Sequence, residues 1–239
     1  MLQKINSDRI LFIDIETVPQ HYTFEELSPE MQQLWADKTR FFQQREEKTP
    51  DEVYERAGVY AEFGKVVCIS MGYLHHTAGE KKFRVTSFSG KDERALLEEF
   101  ASLLNSRFSG SNYLLCGHNI KEFDIPYLCR RMLVLGIALP DLLDLSGKKP
   151  WEVQHLDTLE LWKFGDYKHY TSLNLLTHIF GIPTPKDDIS GADVARVYYE
   201  EDDLEKIVRY CEKDVLAVAQ LLLRMKGEPP IAEKNVVVV

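Results

Sequence analysis

The run Arg9-Ile-Leu-Phe-Ile-Asp-Ile-Glu-Thr17 constrains the fold more than any other stretch of the chain. Ile10, Leu11, Phe12, Ile13 and Ile15 are apolar on both faces of an extended segment, which suits a central strand covered on both sides. Two carboxylates interrupt the run. Strand side chains at i and i+2 leave the same face, with Cα atoms about 7 Å apart. Asp14 and Glu16 therefore stand side by side at the carboxyl end of a core strand, where open α/β sheets bind their ligands. Two anions held together there are costly without a positive partner, and a divalent metal ion is the obvious one. The spacing alone is weak evidence, because 38 acids in 239 residues give about six acid-x-acid pairs by chance. The apolar strand around this pair sets it apart, and acids elsewhere must decide.

The 239 residues are enough for one α/β domain with a sizeable core or for two small domains, and without repeats or a Gly/Ser linker one domain is the default. A hydrophobic content of 44% and a charged content of 28% are those of a soluble globular protein. No run approaches the roughly 18 apolar residues of a membrane span, and no basic-then-apolar leader precedes Asp14. Cys68, Cys116, Cys129 and Cys211 are scattered without a Cys-x-x-Cys pattern. They read as reduced thiols of a cytoplasmic protein with no membrane partner. The net charge of -9 argues against a protein that coats duplex nucleic acid, since that affinity comes from Lys and Arg on phosphates. It leaves room for an enzyme that grips a short piece of polyanion through bound metal ions.

Along the chain, residues 20–57 carry apolar positions at helical spacing. Ser28-Pro29 and Thr49-Pro50-Asp51-Glu52 look like helix starts. Two helices are expected, as an excursion between the first and second strands, with Trp35, Phe41 and Phe42 as packing. Residues 65–73 and 82–89 read as strands of a hairpin turning through His76-Thr-Ala-Gly79, with His75 and His76 in the turn. An amphipathic helix follows over 92–107, a short buried strand over 113–116, and a helix from Asp124 to Gly136. His155-Leu-Asp-Thr-Leu159 reads as a strand and 173–180 as a helix. Pro185–Gly191 reads as a structured loop, and 192–225 as a long helical region broken near Glu201.

Two more acids stand in informative places. Asp124 opens a helix a few residues after a core strand; it is either an ordinary N-cap or an acid facing the same end of the sheet as Asp14. In Tyr210-Cys-Glu-Lys-Asp214, residues i and i+4 share a helix face. Tyr198/Asp202 and Tyr199/Asp203 have the same spacing in a wet, charged setting. Asp214 instead lies among Cys211, Ala217, Val218 and Leu221, an apolar stripe in which a carboxylate needs a partner.

Asp14, Glu16, Asp124 and Asp214 with Tyr210 together resemble the DEDD exonucleases, in the subgroup with tyrosine in the third motif. Asp-Ile-Glu-Thr17, Gly117-His-Asn-Ile-x-x-Phe-Asp-Ile-Pro-Tyr-Leu and Tyr210-Cys-x-x-Asp-Val look like the proofreading exonuclease domains of family B DNA polymerases. They look most like the bacterial stand-alone relatives of those domains. The likeness covers roughly residues 9 to 222, and Ser172-Leu-Asn-Leu-Leu and Lys186-Asp-Asp-Ile also fit the pattern. It departs in the long excursion at 20–57, the acidic charge and the lack of a following polymerase domain.

The resemblance implies a single α/β domain over 1–227, a ribonuclease H-like mixed sheet flanked by helices, with residues 228–239 as a tail. It implies a 3′-5′ exonuclease on single-stranded DNA that uses two divalent ions, Mg or Mn, and releases nucleoside 5′-monophosphates. Asp14 would bridge both ions, Glu16 and Asp214 would complete the first, and Asp124 would hold the second. Tyr210 would orient the attacking water. Thr17, Asn119 and Phe123 would position the terminal nucleotide. The alternatives are an exoribonuclease of the same superfamily or a non-catalytic nucleic-acid-binding module. The oligoribonuclease type would carry histidine where Arg209 stands, and a binding module would have lost a ligand. An aspartyl phosphatase would want Asp at position 16. A polymerase or repair partner acting in trans is left open.

Overall fold

The computed structural model describes residues 2–77, 79–109, 113–166, 170–183 and 189–239. The apolar run forms β1 (Ile10–Pro19), and it lies in the interior of the sheet. It pairs antiparallel with β2 (Gly64–Thr77) and parallel with β4 (Leu114–Gly117). Beyond β2 lie β3 (Glu80–Ser89), antiparallel, and β6 (Val236–Val238), parallel; beyond β4 lies β5 (Leu156–Asp157). The order is β5-β4-β1-β2-β3-β6. This mixed sheet, flanked by helices, is the ribonuclease H-like α/β fold.

Both faces of β1 are buried, by different helices. Leu11, Ile13 and Ile15 pack with Leu97 and Phe100 of α2 (Glu93–Arg107) and with Ile125 and Leu128 of α3 (Asp124–Val134). Ile10 and Phe12 face the other way, onto Val215, Val218 and Leu222 of the long C-terminal helix, α7. Each such side chain contributes about 1.5–3 kcal/mol by leaving water. The alternation that points Phe12 at α7 also points Asp14 and Glu16 there.

The excursion differs from expectation. α1 (Pro29–Glu46) starts at Ser28, whose hydroxyl accepts the Met31 N–H at 3.2 Å. The second start signal forms too, with Glu52 accepting the Thr49 N–H at 2.8 Å, but it leads into a 3-10 turn over Tyr54–Val59. So short a segment is a marginal α-helix in isolation. Here Val53, Tyr54, Ala57 and Phe63 instead wrap the fully buried Trp35, whose Nε1 donates to the Pro50 carbonyl at 2.8 Å. Trp35 is packing, as expected, whereas Phe41 is exposed.

Other differences are local. His75 and His76 are strand residues of β2, paired with Lys82 and Lys81. The expected strand at 155–159 is two residues long. It turns straight into α4 (Thr158–Lys163), because the Asp157 carboxylate accepts the Leu159 N–H at 2.9 Å. After α5 (Leu173–Ile179), α6 (Val194–Arg196) runs on as a π-helical turn over Val197–Glu201. Asp202 breaks it with φ 52, and Asp203 caps α7 (Leu204–Met225). The segment expected as a tail supplies β6. Lys186, Asp187 and Asp188, with the start of the expected loop at Pro185, lie outside the described residues.

One buried ion pair ties α2, α3 and β2 together. Arg131 Nη2 and Nε donate to the two Glu93 oxygens at 2.6 and 2.9 Å, and Nη1 donates to the Ala61 carbonyl at 2.9 Å. Glu93 also accepts the Val66 N–H at 2.8 Å. Truncating one partner strands the other charge in the interior, which costs roughly 3–5 kcal/mol. Urea unfolding of Glu93→Ala should show a loss of about that size, and a loss below 1 kcal/mol would mean that water reaches Arg131.

Candidate active site

β1 delivers Asp14 and Glu16 to the α7 face of the sheet, just before a β-bulge. The register shifts between Glu16, opposite Cys68, and Thr17, opposite Val66. A bulge bends its strand and re-aims the neighbouring side chains. Glu16 is 8% exposed, and its carboxylate makes no hydrogen bond or ion pair among the described residues.

α7 brings the next group. Ile207, Cys211, Val215, Val218 and Leu222 form its apolar stripe against the sheet, at helical spacing. Tyr210 and Asp214 flank that stripe one turn apart, and the Tyr210 hydroxyl donates to the Asp214 carboxylate. Cys211 donates its thiol to the Asp14 carbonyl and carboxylate, each at 3.4 Å.

Asp124 arrives from the opposite side of the strand. β4 ends at Gly117, where a Cβ would lie 2.8 Å from the Ile120 Cβ and 3.0 Å from the Ile13 carbonyl oxygen. Asn119 follows with φ 70. The Asp157 carboxylate fastens this turn by accepting the Asn119 N–H at 2.9 Å and the Lys121 N–H at 3.2 Å. Asp124 is then the first residue of α3 and only 4% exposed. Of its two readings, the ordinary N-cap fails: Phe123 holds the cap position without a side-chain bond, and the Asp124 carboxylate meets the Ile15 N–H of β1.

The four acids act on one another. Burial first, then repulsion from Glu16, Asp124 and Asp214, holds Asp14 well above the usual carboxylate range. Glu16 is raised by burial and then by Asp214, Cys68 and Asp124. Asp124 is pushed up to about 7, by burial and then by Asp157. Tyr210 is raised as well, by burial and by Asp214, Glu16 and Asp14, so its hydroxyl stays protonated. Ligand atoms of Asp14, Glu16 and Cys211 lie within 4.8 Å of one another. Crowded, desolvated carboxylate oxygens are the donors that hard divalent cations prefer, and the residues present fit such ions.

The expected nucleotide contacts are placed as follows. The Thr17 hydroxyl donates to the Gly58 carbonyl at 2.8 Å. The Asn119 side-chain amide makes no hydrogen bond among the described residues. The Phe123 ring tilts against Tyr127 at 5.4 Å. Sequence reasoning missed three neighbours. Asp157 was legible as an Asp-x-x-Glu helix start. Cys211 reads from the sequence as a reduced thiol on an apolar stripe within the Tyr210-Cys-x-x-Asp motif, with nothing to place it against Asp14. Tyr170 carried no signal; its ring stands edge-on to His118 at 6.2 Å, and partial burial of the hydroxyl, then Asp157, Asp124 and Asp14, raise it.

Comparison with known proteins gives a family for the chain. Residues 59–228 match the model of a family described as a predicted 3′-5′ exonuclease related to the exonuclease domain of PolB. The match takes in Asp124, Tyr210 and Asp214 and begins after β1. A DNA polymerase of Pyrococcus glycovorans is 22% identical over 160 residues, which is 57% of this chain and 20% of the polymerase. The chain thus spans about a fifth of the length of that curated relative.

The raised carboxyls make a pH prediction for the metal-free protein. A carboxyl whose folded pKa lies above its unfolded value stabilises the fold at low pH, and that stability is lost as pH rises through the folded value. For Asp124 the window runs from its ordinary 3.8 to about 7. Thermal unfolding under chelator should therefore show stability falling across that window, and Asp124→Asn should flatten the fall. A metal-free protein that gains stability over the window would contradict the electrostatics described.

Proposed function

The chain belongs to the family of predicted 3′-5′ exonucleases related to the exonuclease domain of PolB, and from that premise we propose that it hydrolyses the 3′-terminal phosphodiester of single-stranded DNA, releasing nucleoside 5′-monophosphates. The observation that carries this reading is the desolvated cluster of Asp14 and Glu16, with Asp124 and Asp214 within electrostatic reach. Acids so placed repel a phosphodiester until cations neutralise them.

The cations are two Mg²⁺ or Mn²⁺ ions. When bound, they polarise the phosphate and activate water while stabilising the departing oxygen. Asp14, Glu16, Asp214 and Asp124 are the residues that would hold them. Tyr210, kept protonated with its proton on Asp214, would orient the attacking water by accepting a hydrogen bond at its hydroxyl oxygen; it does not act as the base. Asn119, Phe123 and the backbone near Thr17 hold the terminal nucleotide. With a net charge of -9, the chain grips an end rather than a long duplex. The unbonded cysteines fit work in the cytoplasm.

Asp14→Asn or Asp214→Asn should remove several kcal/mol of barrier lowering, a loss of roughly 10³ in rate, while circular dichroism stays native. Chelation should abolish turnover, and Mg²⁺ or Mn²⁺ should restore it. Tyr210→Phe should lower kcat with little change in KM, since its bond to water matters in the transition state. Matched single-stranded DNA and RNA, labelled at either end, test direction and sugar together. Faster loss of RNA would make the protein an exoribonuclease, and label release from the 5′ end would overturn the reading.

A further inference from the structure

Cys211 is fully buried, and its thiol sits 3.4 Å from both the carbonyl and the carboxylate of Asp14. Buried cysteines are ordinarily small apolar fillers. This one is the inward member of the α7 turn that carries Tyr210 and Asp214, and it faces the same carboxylates. One sulfur and two carboxylate oxygens, from Cys211, Asp14 and Glu16, lie within 4.8 Å of one another. Bonds of about 2.0–2.3 Å from one ion to all three would require these atoms to draw together by less than about an ångström as it binds. Glu16 adds an independent sign. It is more than nine-tenths buried, and among the described residues its carboxylate has no partner.

We propose that Cys211 turns the Asp14–Glu16 pair into a mixed sulfur–oxygen site selective for thiophilic divalent cations, so that Cd²⁺ or Zn²⁺ displaces Mg²⁺ from it. The inference rests on the metal-binding part of the reading above. Mg²⁺ takes oxygen ligands and ignores a thiol. Softer ions gain from sulfur, and a coordinated thiol gives up its proton. The step balances without redox chemistry. The S–H bond breaks, the sulfur lone pair forms the bond to the cation, and the proton leaves to solvent. Losing the thiol proton also frees the Asp14 oxygen that accepted it, and that oxygen becomes a second ligand.

Titration of the chelated, full-length protein with Cd²⁺ under a phosphine reductant tests this without any turnover. One equivalent should produce the sulfur-to-cadmium charge-transfer band in the ultraviolet. The band should persist in Cys129→Ala, whose thiol bonds the Leu143 carbonyl instead, and disappear in both Cys211→Ala and Cys211→Ser. Calorimetry should show the Cd²⁺-to-Mn²⁺ affinity ratio falling at least about tenfold in the serine variant. The serine variant keeps the volume of the side chain should alanine fail to fold. A wild type without the band, or a band surviving in the Cys211 variants, would overturn the proposal. An active Mn²⁺-dependent exonuclease lacking the band sinks this inference alone; a band without nucleotide release sinks the hydrolytic reading alone.

Discussion

Repulsion among carboxylates at the carboxyl end of β1 is the constraint on which the rest of the molecule depends. Two unit charges about 4 Å apart interact by roughly 4 kcal/mol at an effective dielectric of 20, and a domain's whole stability is about 5–15 kcal/mol. Asp14 feels Glu16, Asp124 and Asp214 at once. A fold that holds these groups together must offset that repulsion by packing, by proton uptake or by cations. The packing is visible. β1 is buried on one face by α2 and α3 and on the other by α7, so the acids sit on the most constrained strand of the sheet.

Beside the cluster, a layer of satisfied polar groups fixes where Asp124 stands. Asp157 takes three backbone N–H groups, from Asn119, Lys121 and Leu159. It thereby fastens the turn that delivers Asp124. His118 adds a second fastening, with Nδ1 bonded to the Thr158 hydroxyl at 2.9 Å and Nε2 to the Thr171 carbonyl at 2.8 Å. In the interior, the Arg131–Glu93 pair locks α3 to α2 and β2. Rigid support of this kind keeps charged groups within the short reach of a metal–oxygen bond.

The family match and the geometry contribute different parts of the picture. The match spans 59–228 and includes the acids of α3 and α7, but the first pair precedes it. Tertiary contact joins them: the Cys211 thiol reaches Asp14 across 197 positions of sequence. The same contact distinguishes this cluster from one built of oxygen alone.

Local patterning by itself determined β1, the start of α1, the hairpin, α2, α3 and a break near Glu201, which the structure places at Asp202. Each depends on neighbours within a few residues, through strand alternation, helical spacing and caps. It also determined which face Asp14, Glu16 and Asp214 leave. Only the tertiary structure decided that Thr49–Glu52 opens a 3-10 turn around Trp35, that β5 stops after two residues, and that Val236–Val238 joins β3. Likewise, nothing local marks Cys211 as a neighbour of Asp14, or Asp157 as the clasp on the Asn119 turn. Those outcomes rest on partners tens to hundreds of residues away, which become neighbours only when the sheet and its two helical layers close.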